Sequence, residues 1–295
     1  MGENNLLAEQ FEQNRGHLRG VAYRMLGSLS EADDAVQEAW LKVSRNGAQG
    51  IENFGGWLTT IVARVCLDML RSRKSLREET LESEAVVAPV AGTRQAPDPE
   101  QEALLAESVG LALLVVLETL DPAERLAFVL HDMFAVPFEE IASLVGRSPD
   151  AARQLASRAR RRVQGAEKAT NADLKQQREV IDAFLAALRG GDFEGLIAVL
   201  DPELVVRADA ASAVGGVARE VRGAENWARQ AITFGRGARF AQAALVDGAV
   251  GLVVAPRGRL FRVLRFTLSN GKIATVEVVG DRARLDELDL AVLQD

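Results

Sequence analysis

Pro137-Phe138-Glu139-Glu140-Ile141-Ala142-Ser143-Leu144-Val145-Gly146-Arg147-Ser148-Pro149-Asp150-Ala151-Ala152-Arg153-Gln154-Leu155-Ala156-Ser157-Arg158-Ala159-Arg160-Arg161-Arg162 reads as two helices joined by a tight turn. Pro137 opens the first helix, Ile141, Ala142 and Val145 face inward, and Gly146 stops it. Ser148 caps the second helix and Pro149 occupies its first position, where a missing N–H costs nothing. Ala152, Leu155, Ala156 and Ala159 form the inner stripe. Arg153, Gln154, Ser157, Arg158, Arg160 and Arg161 occupy the outer face. Arg153 to Arg162 holds five arginines and no acid. That is the pattern of a helix-turn-helix whose second helix enters a DNA major groove, where arginine grips guanine and glutamine grips adenine. A solvated basic helix closing a bundle is the plainer alternative.

Upstream, Asp121-Pro122-Ala123-Glu124 is a helix start with its own cap. Further upstream the chain is helical from about 6 to 77. Leu18, Val21, Ala22, Met25 and Leu26 recur at helical spacing, as do Ala35, Val36, Ala39, Trp40 and Val43. Ser30 is the expected cap of the second of these helices. Trp57, Leu58, Ile61, Val62 and Val65 make a third stripe, on a helix that turns basic toward Arg77. Between the two helical blocks, residues 78–102 combine Glu78, Glu79, Glu82 and Glu84 with Pro89, Pro97 and Pro99, the composition of a linker. Downstream of about 174 the period changes. Two helices, the second capped by Asp192, give way to runs of period 2. Ser269-Asn270-Gly271-Lys272 is a hairpin turn between two of these runs. The expected architecture is therefore multidomain. A helical bundle (6–77), the linker (78–102) and a helix-turn-helix domain (103–168) precede an α+β domain (174–295).

The chain has 295 residues and a net charge of −7, which taken whole argues against nucleic acid. The distribution reverses that reading. Residues 81–108 carry one basic and six acidic side chains, while residues 1–80 and 109–170 are close to balanced. Screening confines charge effects to about 8–10 Å, so the local footprint decides. No run of apolar residues is long enough to span a bilayer, and the polar start, Met1-Gly2-Glu3-Asn4-Asn5, has no signal-peptide pattern. One cysteine, Cys66, forms no internal disulfide and sits on the apolar side of its helix. These features set the expectation of a cytoplasmic protein with no membrane partner.

Two further segments carry a family resemblance. His17-Leu18-Arg19-Gly20-Val21-Ala22-Tyr23-Arg24-Met25-Leu26-Gly27, with Glu31-Ala32-Asp33-Asp34-Ala35-Val36-Gln37-Glu38-Ala39-Trp40-Leu41-Lys42-Val43, closely resembles region two of the sigma factors. Phe54-Gly55-Gly56-Trp57-Leu58-Thr59-Thr60-Ile61-Val62-Ala63-Arg64 looks like the part of that region facing promoter DNA. Phe128 to Phe134 and the helix-turn-helix resemble region four. The family is that of the bacterial extracytoplasmic-function (ECF) sigma factors. Leu200-Asp201-Pro202-Glu203-Leu204-Val205-Val206-Arg207-Ala208-Asp209 and Val253-Val254-Ala255-Pro256-Arg257-Gly258-Arg259 resemble the SnoaL-like extension of its SigJ-like branch, an α+β cone-shaped barrel. The chain departs from that branch at Ala210-Ala211, in its linker and at Gly280-Asp281-Arg282.

The resemblance implies a role for each part. Core RNA polymerase and promoter DNA are the implied partners, through the β′ clamp helices, the β flap, and the −35 and −10 elements. Asp33, Asp34, Gln37 and Glu38 would meet the clamp helices. Trp57, Thr60, Arg64 and Arg71 would lie near the −10 element, a basic face with an aromatic as single strands require. The arginine face of 149–162 would read the −35 element. The C-terminal domain would modulate activity through intramolecular contact, its tail Leu285 to Leu293 and the Asp209 to Gly216 loop being the contacting parts.

Catalysis is not expected. A proton-transfer site needs a base tuned near neutral pH, and both histidines, His17 and His131, fall in the helical half. Asp209 is the remaining candidate, for a regulatory or pocket role, against a plain structural role at a strand end. One cysteine and two distant histidines make no metal site, and no cofactor is expected. The rival readings are a bifunctional protein with an enzyme in its C-terminal domain, and a ligand-responsive helix-turn-helix repressor.

Overall fold

The computed structural model describes residues 2–46, 51, 53–82, 110–165, 171–213 and 215–293. Their contacts divide them into two units that do not follow chain order. The first takes in residues 2–82 and Leu120–Arg160, the second 110–119 and 161–293.

In the first unit, α1 (Gly2–Leu26), α2 (Leu29–Asn46) and α3 (Phe54–Glu82) pack against one another. Leu18, Val21, Met25, Leu29, Val36, Leu58 and Val62 are buried at their centre, the residues that the helical spacing selects. Two boundaries differ from the sequence reading. The cap of α2 is Ser28, whose hydroxyl faces the Glu31 N–H at 3.5 Å, and Ser30 lies inside the helix. The start moves back because Leu29 is fully buried and must belong to the packed face. Helix α3 runs past 77 to Glu82, into the expected linker. Glutamate and leucine favour helix, and the first proline comes only at Pro89. The rest of that linker, 83–102, lies outside the described residues.

The same unit contains α5 (Pro122–Phe128), a π-helical turn (Val129–Met133), α6 (Phe138–Val145) and α7 (Pro149–Gln164), the last of which runs on into the second unit. The Asp121 carboxylate accepts the Ala123 N–H and Pro122 sits at the helix start, as the sequence requires. Gly146 adopts φ +69°, a left-handed close that a β-carbon would strain. Ser148 Oγ accepts the Ala151 N–H to start α7. α5 and α6 pack on α3, and the π-helical turn packs on α1. Arg125, 3% exposed, donates from Nε and a terminal nitrogen to the Arg24 carbonyl at 3.2 and 3.1 Å. The Phe134 ring meets the His17 ring edge-on at 5.2 Å and lies under the Arg24 guanidinium at 5.3 Å.

The second unit is α+β. Its sheet comprises β1 (Leu200–Ala208), β2 (Arg219–Arg222), β3 (Ala241–Val246), β4 (Ala249–Val254), β5 (Arg262–Ser269), β6 (Lys272–Val279) and β7 (Leu290–Ala291). The order is β2-β1-β6-β5-β4-β3-β7, antiparallel except where β1 runs parallel to β6. Asn270 and Gly271 turn β5 into β6 with φ +51° and +74°, the conformation an Asn-Gly pair supplies. Three helices, α8 (Asn171–Gly190), α9 (Phe193–Val199) and α10 (Ala224–Ala231), cover one face. Ile181, Phe184, Leu196, Leu204, Val206, Leu252, Ile273 and Val276 form the core between them. Short α11 (Arg282–Glu287) leads to the tail.

Helix α4 (Leu111–Thr119) belongs to this unit. It packs against β3 and β7, burying Leu111, Leu114, Val115 and Leu117. Gln242 Oε1 accepts the Ala112 N–H at 2.9 Å, and a Glu118 carboxylate oxygen accepts the Leu260 N–H at 3.2 Å. The tail is tied in beside it. β7 pairs with β3, and the Val292 N–H donates to the Val163 carbonyl, at the end of α7, at 2.9 Å.

Candidate nucleic-acid interface

The outer face of α3 carries Trp57, Thr60, Arg64 and Arg71. These positions span 14 residues, about 21 Å of helix. Asn53 starts the helix, its Oδ1 accepting the Gly56 N–H at 3.0 Å. Leu58, Val62 and Val65 take the buried side, which turns Arg64 and Arg71 outward. Trp57 is half-buried, with its ring 5.7 Å from that of Phe54. Together with Lys42, Val43, Ile61 and Arg64 it lines a largely apolar cavity of about 150 Å³. The sequence reading placed Trp57 either in the core or on DNA; it lies at the boundary, one face packed and the cavity beside it. Lys42 and Ile61 join this site unanticipated, because α2 and α3 meet only in the folded unit. Thr60 is half-buried and its hydroxyl donates to the Trp57 carbonyl at 2.8 Å. Among the described residues, neither Arg64 nor Arg71 has a carboxylate within ion-pair distance.

The outer face of α7 shows the expected side chains. Arg153, Gln154, Ser157, Arg158 and Arg161 are exposed, and Arg160 is partly so. Three of these arginines are held. Arg153 pairs with Asp150, lies 3.5 Å from Glu139, and stacks over the Phe138 ring at 5.6 Å. Arg158 donates to Glu124 at 2.7 Å, and Arg160 donates to Asp132 at 2.7 Å. His131 stacks on Phe138 from the other element, with ring centroids 3.8 Å apart. These acids lie outside the Arg153–Arg162 run, so an acid-free stretch of sequence becomes a charge-paired surface in space.

On α2, Asp33, Gln37 and Glu38 are exposed, Asp34 is half-buried, and Val36 and Ala39 turn inward. Asp33 is gripped by the two-pronged Arg19 guanidinium at 2.7 and 3.0 Å, and Glu38 pairs with Lys42 at 2.9 Å. The structure thus turns Asp33, Gln37 and Glu38 outward and Asp34 partly so, with Asp33 and Glu38 already in ion pairs.

Asp209 lies at the end of β1. Partial burial pushes its carboxyl up, but the N–H groups of Asp281 and Gly280, each at 2.9 Å, and of Ser212 at 2.8 Å outweigh that and hold it below the usual range. Arg284 stands 3.7 Å away. The group ties the end of β1 to the end of β6. Cys66 is fully buried, and desolvation pushes its thiol up to about 12, too high for a thiolate nucleophile. Among the described residues no group of His, Cys, Asp and Glu could hold a metal ion. No helix among them is long and apolar enough to cross a membrane.

Family models for Sigma-70 region 2 and Sigma-70 region 4 match residues 10–76 and 110–163. The first covers α1 to α3; the second begins with α4 and ends with α7. The chain is 37% identical, over 90% of its length and 89% of the relative's, to the ECF RNA polymerase sigma factor SigJ of Mycobacterium tuberculosis. It is 32% identical, over 98% of both chains, to the probable ECF RNA polymerase sigma factor SigI of that organism. A crystal structure of M. tuberculosis SigJ aligns over 94% of this chain and 98% of its own, with 31% identity and a TM-score of 0.45. With both sigma regions present in order and similarity along nearly the whole length, the chain belongs to the ECF RNA polymerase sigma factors.

Proposed function

We propose that this sigma factor divides promoter recognition between the two helix faces described above. The α3 face takes the opened −10 element. Its unpaired arginines hold phosphates, and the cavity beside Trp57 offers an unstacked base an apolar wall flanked by Lys42 and Arg64. The α7 face takes the −35 duplex, Arg153 and Gln154 near the helix start reading bases while Arg158, Arg160 and Arg161 hold phosphates. Asp33, Asp34, Gln37 and Glu38 meet the β′ clamp helices of core polymerase, and the helix-turn-helix domain meets the β flap. The observation that carries this reading is the exposure of both basic faces on helices whose opposite sides are fully buried.

The C-terminal domain regulates and does not catalyse. The depressed Asp209 carboxyl is the wrong base for proton transfer near neutral pH, and its oxygens are committed to backbone N–H groups. The tail is the part assigned to that regulation, by what it touches inside its own unit. Val292 is bonded to the end of α7, and α4 is seated on β3 and β7. The protein works in the cytoplasm, where the polymerase is. Run-off transcription with core polymerase tests the assignment. The wild-type chain directs a discrete transcript, and Arg64→Ala with Arg71→Ala abolishes it while leaving the melting curve in place. A double variant that transcribes like the wild type overturns the α3 assignment. A 1–170 truncation is a poor probe of regulation, because it strips the cover from Leu114 and Leu117. Gly165→Ala in the full chain is better: the added β-carbon would stand 2.8 Å from the Ala291 side chain, at a φ of +76°. It loosens the tail without removing a domain, and it is expected to change the transcript yield.

A further inference from the structure

Residues 226–276 contain eight basic side chains and one acid, Asp247. The domain around them is balanced, with 16 basic and 17 acidic residues over 171–295, so the sheet region is polarised and the acids gather in the segments flanking it. Most described arginines of this unit are ion-paired. Arg207 and Arg222 are held by Glu220, Arg229 by Glu225, Arg265 by Asp247 and Glu277, Arg282 by Asp286, and Arg284 by Glu277. Apart from Arg189, which donates to backbone carbonyls, and Arg219, which donates to the Gln230 side chain, three described arginines after residue 170 depart from this. Arg239, Arg259 and Arg262 have no carboxylate within ion-pair distance among the described residues.

These three lie together. The Ala255 N–H donates to the Phe240 carbonyl, the Phe261 N–H donates to the Val254 carbonyl, and Val254 pairs with Arg262. The start of β3, the end of β4 and the start of β5 therefore form one end of the sheet. Arg189 braces it, donating to the carbonyls of Ala238 and Ala241 at 3.2 and 2.7 Å. The Arg239 guanidinium lies over Phe240, and that of Arg262 over Phe261, each 4.6 Å from the ring centroid. Phe261 is 50% exposed, one of three exposed large apolar side chains among the described residues, and the Nε of Arg262 is buried without a partner. The Glu118 carboxylate near this end is occupied by the Leu260 N–H.

We infer that this end of the C-terminal sheet is a second DNA-binding surface, which takes the phosphate backbone of duplex DNA without reading sequence. Arg239 lies just before β3, Arg259 in the loop between β4 and β5, and Arg262 at the start of β5, so three cations gather at this one end of the sheet. A duplex presents one charge per about 1.7 Å of its axis, so several phosphates pass any such cluster of cations. Arg239 and Arg262, each resting on a ring, lose little freedom on pairing. An exposed cluster of this kind fits an extended polyanion and not a single enclosed anion.

The test is a salt titration of the full chain on a mixed-sequence 40-bp duplex by fluorescence anisotropy. Arg239→Gln with Arg259→Gln is expected to flatten the slope of log K against log salt by about 2, close to one unit per lost phosphate contact. Arg229→Gln with Arg282→Gln removes the same charge from ion-paired positions of the same domain and is expected to leave the slope in place. Arg262→Gln, whose stem is partly buried, is added only after the double variant is shown to melt like the wild type. Equal slopes for the two double variants overturn the inference. So does a loss confined to phosphatidylglycerol-containing vesicles or to single-stranded RNA, which would assign the face to a membrane or to RNA. Run-off transcription with core polymerase is scored in parallel. Intact transcription with an unchanged slope removes this surface alone, whereas no transcript from the wild-type chain undoes the sigma reading itself.

Discussion

Helices α3 and α7 both present arginines to solvent, but they treat them differently. On α3, Arg64 and Arg71 stand free of carboxylates among the described residues. On α7, Arg153 is held by Asp150 of the same helix and by Glu139, while Arg158 and Arg160 are held by Glu124 and Asp132 from other elements of the unit. Under the proposed assignment, the face that takes an opened, mobile strand keeps its cations available. A face that docks on rigid duplex can have its side chains oriented in advance, because an exposed ion pair is worth only about 0–1 kcal/mol and phosphate can displace it. Removing a free charge should therefore cost binding, and removing a buried, held one should cost stability.

The largest effect expected under that contrast is at Arg125, the most deeply held arginine. Its guanidinium is buried and satisfies the Arg24 carbonyl from across the first unit, so it joins α1 to α5 and with them the supports of both basic faces. Arg125→Ala leaves that carbonyl without this donor and opens a cavity, at a cost of about 2–4 kcal/mol. Urea denaturation of the full chain checks it. A loss below about 0.5 kcal/mol would mean that the burial of this charge is structurally idle and would break the contrast at its strongest point.

Asp209 comes next, a carboxylate held by backbone N–H groups. Asp209→Asn turns one of two acceptors into a donor facing a backbone N–H, that of Ser212 or those of Gly280 and Asp281, and is expected to cost about 1–3 kcal/mol at pH 7. Its folded value is depressed, so its contribution is present above the unfolded value of about 3.9 and is lost as pH falls through the folded one. Wild type and variant should therefore converge in urea midpoint below about pH 4. A gap that stays constant from pH 7 to pH 3 would show that the charge on Asp209 contributes nothing.

On the free side, Trp57→Ala is expected to weaken binding to a single-stranded −10 oligonucleotide by about 1–3 kcal/mol with little loss of stability, since one face of the ring already borders a cavity. Stability lost without binding lost would return Trp57 to the core.

Much of this was legible in the sequence, and the limits have a physical pattern. Helix starts at Asp121 and Ser148, the left-handed stop at Gly146 and the Asn270-Gly271 hairpin were readable, because each depends on residues a few positions apart. The buried stripes of α2, α3 and α7 were readable for the same reason. The packing partners of α4 were not. α4 reads as part of the helix-turn-helix half and matches its family model, yet its apolar residues are buried against β3 and β7, more than 120 residues downstream. The partners of the α7 arginines were hidden likewise. Arg153 to Arg162 is acid-free as a string, whereas Glu124 and Asp132 reach it only after folding. Ser30 was displaced from its expected cap because burial of Leu29 outranks the choice between two neighbouring serines.

The smallest expected effect sharpens the α7 half of the contrast directly. If Asp150 and Glu139 only orient Arg153, neutralising them frees a cation and removes local repulsion of phosphate. Asp150→Asn with Glu139→Gln should then tighten binding to non-specific duplex, by less than about 1 kcal/mol given the exposure of both acids. The same change should blunt discrimination between promoter variants, because a guanidinium released from two carboxylates and resting only on the Phe138 ring samples more directions. Gain in affinity with loss of preference is the signature of pre-orientation. Weaker binding to every duplex would mean instead that the acids hold the start of α7 in place, since Asp150 also lies in the first turn, where a negative charge suits the helix dipole. Competition between matched and mismatched duplexes at two salt concentrations separates the two, because only the electrostatic gain shrinks as salt rises.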